Sequence, residues 1–241
     1  MDRLTRHELK QDEFRESFTQ LEEFFKKHAQ EIATSVGIVV VVLGLAGGLK
    51  YYVDRQEAEA NADLGAALQT FHAYVGATPE GALAAGESYP TAQDKYKKAL
   101  AQFAEITQKY KMVPRPKAVG VARYHVGVCQ ALLGDQAGAI KTLQEASADS
   151  DKNVASLAQM ALADLFVKSS KLPEAVKIYQ NLADHPTVTV PRATALLAMA
   201  DAYRGTQPAQ ARQLYQRIEK EFASDPAVSQ AISQELTTLK N

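Results

Sequence analysis

The residues most able to do chemistry are few. His125 and Cys129 stand four positions apart, so on a helix both would share one face and could touch the same metal ion. Two ligands without a third make a weak metal site, and the pair reads as packing residues instead. His72 stands alone on its helix, and His185 precedes a proline in a turn. Lys109, Lys111, Arg115 and Lys117 form a short basic run that reads as solvated surface. There is no GxSxG elbow, no phosphate-binding GxxxxGK[ST] loop and no HExxH. No catalytic residue, cofactor or metal ligand is assigned, and an enzyme built on His125 and Cys129 is the reading this set argues against.

Composition narrows the classes further. The chain has 241 residues, a net charge of −1, one cysteine and no tryptophan. Over residues 53–241, 20 Lys and Arg balance 20 Asp and Glu, which leaves no basic excess for nucleic acid. A single thiol cannot pair within the chain. Alanine and leucine are abundant, and β-branched runs are confined to the apolar stretch and to Thr187–Val190. These features predict an all-α chain.

The elements are organised around residues Ile32 to Leu49, IATSVGIVVVVLGLAGGL, 18 positions without a charge. At the helical rise they reach about 27 Å, enough for a bilayer's hydrocarbon core. Lys50 can snorkel, and Tyr51 and Tyr52 suit the headgroup layer. One membrane-spanning helix is expected. Residues 1–31 carry six Lys and Arg, against two in the first twenty residues after the stretch. That bias predicts a cytoplasmic N-terminus and an outer C-terminal domain. A cleaved signal peptide is the rival, with small residues at Ala46–Leu49. It would need a 31-residue leader holding eight acids, which is unlike a signal peptide. No cysteine directly follows the stretch to serve as a lipoprotein site. Gly44 and Gly48 make a GxxxG step with Gly37 on nearly the same side, a face suited to close helix packing. Whether it would make a homo-oligomer or a mixed complex stays open.

On either side, helices are expected. Residues 11–27 carry an apolar stripe of Phe14, Phe18, Leu21 and Phe25. A helix over Glu57–Tyr74 presents Leu64, Leu68 and Phe71. Gly76 to Tyr89 reads as a break, after which Thr91 and Asp94 form a capping box for a helix reaching about Tyr110. Pro114 and Pro116 precede the next helix. A signature then recurs, a small residue followed four on by a large apolar or aromatic one. The pairs are Ala99/Phe103, Ala139/Leu143, Ala175/Tyr179 and Ala211/Tyr215, at spacings of 40, 36 and 36 residues. Turns at Gly134-Asp135, Ser169–Pro173 and Gly205–Pro208 precede the last three, with Pro173 and Pro208 placed for a first helical turn. Asp184-His185-Pro186 and Ser224-Asp225-Pro226 close the last two units. Asp225 would cap a final helix, Pro226 to Lys240.

The pattern resembles the tetratricopeptide repeat. The clearest unit runs Tyr124-His125-Val126-Gly127, Gly134-Asp135, Ala139-Ile140, Leu143 and Ala146. It departs where Gln130 stands in place of an aromatic, and the next two units lose the glycine of the first helix. The resemblance covers residues 93–226 and implies stacked helical hairpins. The expected fold is all-α: one N-terminal transmembrane helix, then a solenoid of about four hairpins with a C-terminal capping helix. The expected divisions are 1–31, a cytoplasmic amphipathic tail; 32–52, the transmembrane helix; 53–92, a helical linker and divergent first repeat helix; and 93–241, the repeat domain. Ser229, Gln230, Ser233, Gln234 and Thr237 suit a helix that shields the open end.

In repeats of this type the concave face is lined by the first helix of each hairpin. That register places Tyr124, Val128, Met160, Asp164, Leu196 and Tyr203 there, a groove for an extended or helical peptide. Met160 and Leu196 also suit packing between helices. The layout of tail, span and outer repeats resembles the ancillary subunit of the bacterial secretion translocon. That resemblance implies a single-pass inner-membrane protein with periplasmic repeats. It also implies as partners translocon subunits, a membrane-anchored periplasmic chaperone and unfolded clients. A scaffold for envelope assembly or division is the alternative.

Overall fold

The computed structural model describes residues 26–76, 88–111 and 114–238. The expected stripe at Phe14, Phe18, Leu21 and Phe25, the turn signals from Thr78 to Gly86, and a helix end at Lys240 lie outside them. The described elements are helices but for one short bridge. In order they are α1 (Ala29–His72), β1 (Tyr74–Val75), β2 (Ser88–Tyr89), α2 (Ala92–Lys109), α3 (Lys117–Leu132) and α4 (Gln136–Ser147). Then come α5 (Lys152–Lys168), α6 (Leu172–Asp184), α7 (Arg192–Arg204), α8 (Pro208–Glu221) and α9 (Pro226–Thr238). The chain forms two compact units, Met1–Arg55 and Gln56–Asn241.

In the first unit, α1 carries the uncharged stretch with its side chains outward: Leu43 is 66% exposed and Leu45 71%. By length and composition this helix can cross a membrane. Lys50 and Asp54 form an exposed i,i+4 ion pair at 3.4 Å just beyond the stretch. No break in α1 marks the expected division at 52/53.

In the second unit the end of α1 opens a series of helical hairpins. Ala60, Leu64, Ala67, Leu68 and Phe71 pack with Ala99, Phe103 and Ile106 of α2 and with the start of α3. The remaining hairpins are α3/α4, α5/α6 and α7/α8, each helix packed on its neighbours in the chain. All eight residues of the recurring pairs are buried, at no more than 2% exposure. The alanine brings the helices together and the large residue fills the gap between them. Burying one such large side chain contributes about 1.5–3 kcal/mol. Gly127 shows how close the approach is: a β-carbon there would lie 2.7 Å from Leu143 Cγ.

The turns repeat as well. Gly134 closes α3 with φ +88°, and Asp135 N–H donates to the Gln130 carbonyl at 2.9 Å. Thirty-six residues on, Ser170 holds the same left-handed turn at φ 57°, and Lys171 N–H donates to Phe166 at 2.8 Å. Asp135 then caps α4 through Gly138 N–H, 2.9 Å. Pro173 and Pro208 stand in the first turns of α6 and α8, as expected. A longer connection, residues 185–191, is stitched to α5 by hydroxyls. Ser156 Oγ contacts Thr187 Oγ1 at 2.8 Å and Thr189 Oγ1 at 3.0 Å, and Thr189 also donates to the Asn153 carbonyl.

Two local expectations change. The break after α1 is not purely irregular, because β1 and β2 pair in parallel, Tyr74 with Ser88 and Val75 with Tyr89. Composition over a window of this size cannot register strands of two residues. At Thr91 the hydroxyl accepts from Asp94 N–H at 3.1 Å but donates to the Asp94 carboxylate at 2.7 Å. Side chain meets side chain, in place of the return bond from Asp94 to the backbone that defines a capping box.

The last helix covers the end of the stack. Ile232 is fully buried, and Val228 and Leu236 pack on the same core. Asp225 accepts from Val228 N–H at 3.3 Å, the expected cap, and an ion pair joins Arg204 of α7 to Glu235 of α9.

Candidate functional site

His125 and Cys129 are both absorbed by packing. The His125 ring stacks on Phe103, with centroids 4.8 Å apart and planes at 13°. Phe71 and Tyr124 meet it edge-on at 5.1 and 4.9 Å. Burial, helped by His72, lowers its pKa to about 4, so the imidazole is neutral, and its Nδ1 is buried without a hydrogen-bond partner. Cys129 is fully buried, and burial pushes its thiol up to about 12, far from a reactive thiolate. Among the described residues no group of three His, Cys, Asp or Glu side chains is placed to hold a metal ion. His72 and His185 each pair with a carbonyl four residues back, Leu68 at 2.9 Å and Asn181 at 3.2 Å.

The groove residues divide. Tyr124 and Val128 lie on α3, Met160 and Asp164 on α5, and these two helices touch directly. Tyr124, Val128 and Met160 are half-buried and Asp164 is exposed, so this part offers a mixed apolar and acidic surface. Burial raises the Tyr124 phenol's pKa, and the charge of the Asp164 carboxylate adds to the rise. Leu196 does not belong to this surface. It is 1% exposed and packs in the core with Ala195, Met199 and Ala200, because α7 turns that side toward its neighbours α6 and α8. Tyr203, on the last turn of α7, is half-buried.

Two polar contacts join residues that look unrelated when each position is taken alone. Tyr179 donates its hydroxyl to Asp164 Oδ1 at 2.5 Å, and Tyr215 donates to Asp201 Oδ1. In each case a core tyrosine on the second helix reaches a carboxylate on the first helix of the same hairpin. Burial and the carboxylate bond hold both phenols well above their ordinary pKa. The charge of Asp201 on the next hairpin also raises the Tyr179 phenol. Although Asp164 as a whole is exposed, its carboxyl end is tucked against the packed helices. That desolvation raises the Asp164 carboxyl, while its bond to Tyr179 and the charge of Lys168 offset part of the rise. The signal was in the sequence: at the aromatic positions a buried tyrosine, unlike phenylalanine, demands an acceptor. A comparable pair closes the opening hairpin, where Asp63 accepts from Lys109 Nζ at 2.8 Å and Tyr110 Oη at 2.9 Å. Lys109 is thereby withdrawn from the basic run.

The glycines of α1 face open space. Nothing lies within 4 Å of a β-carbon built at Gly37, Gly44 or Gly48. Gly37 borders a shallow groove of about 600 Å³ with Ala33, Thr34 and Val41.

Comparison with known families matches two stretches, residues 121–149 and 194–224, to the tetratricopeptide repeat. They coincide with hairpins α3/α4 and α7/α8. The hairpin between them shares their signature and spacing. No curated protein matches the chain significantly. The second unit is a helical-hairpin solenoid carrying tetratricopeptide repeats, an architecture that serves as a protein-interaction scaffold.

Proposed function

We propose that this chain is a membrane-anchored, non-catalytic protein-interaction module of the bacterial inner membrane. Its N-terminus is cytoplasmic and its repeats are periplasmic. It acts as an accessory factor at the secretion translocon, assisting a periplasmic chaperone with emerging proteins. The observation that carries the reading is the pairing, in one chain, of an exposed apolar helix able to span a bilayer with a tetratricopeptide scaffold. The charge bias around Ile32–Leu49 supports the orientation. In this reading the face of Gly37, Gly44 and Gly48 packs on a helix of the channel. Tyr124, Val128, Met160, Asp164 and Tyr203 contact an extended or helical segment of the partner.

The test is purification in mild detergent with mass spectrometry of the companions. Translocon channel subunits and a periplasmic chaperone are expected with the native chain and lost with Gly44→Leu, Gly48→Leu, while the repeats stay folded. Division or assembly proteins in their place would overturn the translocon assignment. Protease added to intact spheroplasts should digest the repeat domain; protection of that domain would overturn the topology.

A further inference from the structure

A second polar site lies away from the first-helix groove and does not depend on it. A cleft of about 610 Å³ opens where the segment before α3 faces the α4–α5 turn. This is within the range of ligand sites. One wall carries Arg115, Lys117 and Arg123; the other carries Asp149 and Asp151. Gly120 forms the floor between them, and a β-carbon there would lie 2.6 Å from Asp149 Oδ2, so only glycine leaves that carboxylate its place. Both acids are fixed by the backbone: Asp149 Oδ1 accepts from Asp151 N–H at 3.0 Å, and Asp151 Oδ1 caps α5 through Asn153 N–H at 2.9 Å. None of the three cations forms an ion pair or hydrogen bond through its side chain to a described residue. At the start of α3 the Lys117 N–H donates to the Glu57 carboxylate at 3.2 Å, so the helix end is already met by an acid and the field of this wall is that of its three side-chain cations.

The two walls ask for different things. The cationic wall has donors to spare and favours a carboxylate. The acidic wall has fixed acceptors and favours N–H donors. A compact anion, such as phosphate, satisfies the first wall and is repelled by the second. An extended peptide with an acidic side chain satisfies both, since its carboxylate and its backbone amides can point to opposite sides. We propose that this cleft binds an acidic peptide segment, with the carboxylate against Arg115, Lys117 and Arg123 and backbone amides against Asp149 and Asp151.

The test uses the full chain in detergent micelles with ¹⁵N-labelled arginine, following the Nε–Hε signals of Arg115 and Arg123 by NMR. The probes are acetyl-(Gly-Glu)₃-amide, acetyl-(Gly-Lys)₃-amide, sodium phosphate and phosphatidylglycerol vesicles. The acidic peptide should shift both signals saturably at millimolar concentration or below, and the basic peptide should not. Arg123→Gln should weaken the acidic peptide about tenfold, the size of one lost charge-assisted bond. Asp149→Asn should weaken the peptide and strengthen phosphate. Should Arg123→Gln fail to fold, Arg115→Gln, at an exposed position, carries the same expectation. Absence of a saturable shift with the acidic peptide would overturn the proposal. So would phosphate or vesicles shifting the signals as strongly, or peptide affinity unchanged by the arginine substitutions.

Discussion

Hairpins α3/α4 and α5/α6 occupy equivalent places in the stack yet solve the same packing problem differently. Leu143 and Tyr179 stand 36 residues apart at the same position of the second helix, and both are buried. At the matching position of the first helix stand Val128 and Asp164. The first hairpin seats Leu143 against Gly127 and has no polar pair; the second closes with a phenol donating to a carboxylate. Hairpin α7/α8 follows the second pattern with Tyr215 and Asp201, its carboxylate displaced by one residue along the helix. The repeat therefore fixes the volume of the buried residue, while the hydroxyl decides what the facing helix must carry. An acid that looks like part of a binding surface is also a structural partner of the core.

The comparison can be tested first by removing the ring. Tyr179→Ala should destabilise the repeat domain by about 4 kcal/mol, read from a denaturant midpoint. Replacing Asp164 with Val alone should cost about 2 kcal/mol, because the phenol loses its acceptor. Converting both positions to the α3/α4 pattern, Asp164→Val with Tyr179→Leu, should cost less than the sum of the two single changes, since no polar group is stranded.

Acidity separates the same two hairpins. His125 is buried as the neutral ring with its pKa lowered from 6.5 to about 4, whereas the equivalent position of α5 is Ala161. In the unfolded chain the ring takes up a proton near pH 6.5, but the folded chain resists until near pH 4. Stability is thus full above 6.5 and is lost as pH falls toward 4, on the order of 3 kcal/mol. Hydrogen exchange should show α3 losing protection before α7 and α8 over that interval, and His125→Phe should flatten the difference.

Smaller effects refine the comparison. Gly127→Ala should cost about 2 kcal/mol by overpacking against Leu143, while the equivalent residue in α5 is already Ala163. Ser170→Gly should raise stability by about 1 kcal/mol, by relieving a left-handed backbone that Gly134 adopts freely one repeat earlier. Both are measurable as shifts in thermal midpoint.

Much of this architecture could be read from the chain itself. The Ala/large pairs and the glycine and proline turns depend on local spacing, and local spacing is what a sequence displays. The register points Leu196 to the groove and the fold buries it, because a repeat register gives a residue's position along a helix but not the rotation of that helix against its neighbours. The Tyr179–Asp164 bond joins residues that have to be considered as donor and acceptor across a turn. The cleft at Arg115 was hidden for a similar reason: its opposing acids come from a turn some thirty positions later. In the chain itself, Arg115 and Lys117 look like ordinary solvated charges.

Most helix contacts of the repeat domain join neighbours along the chain; α3 against α5 and the end of α1 against α3 reach one helix further. Such a topology needs no distant partner before each piece can settle, so ordering can advance from one end as the polypeptide emerges. A domain delivered through a narrow exit could thus fold progressively during transit, with α9 and its Glu235 clamp arriving last to close the row.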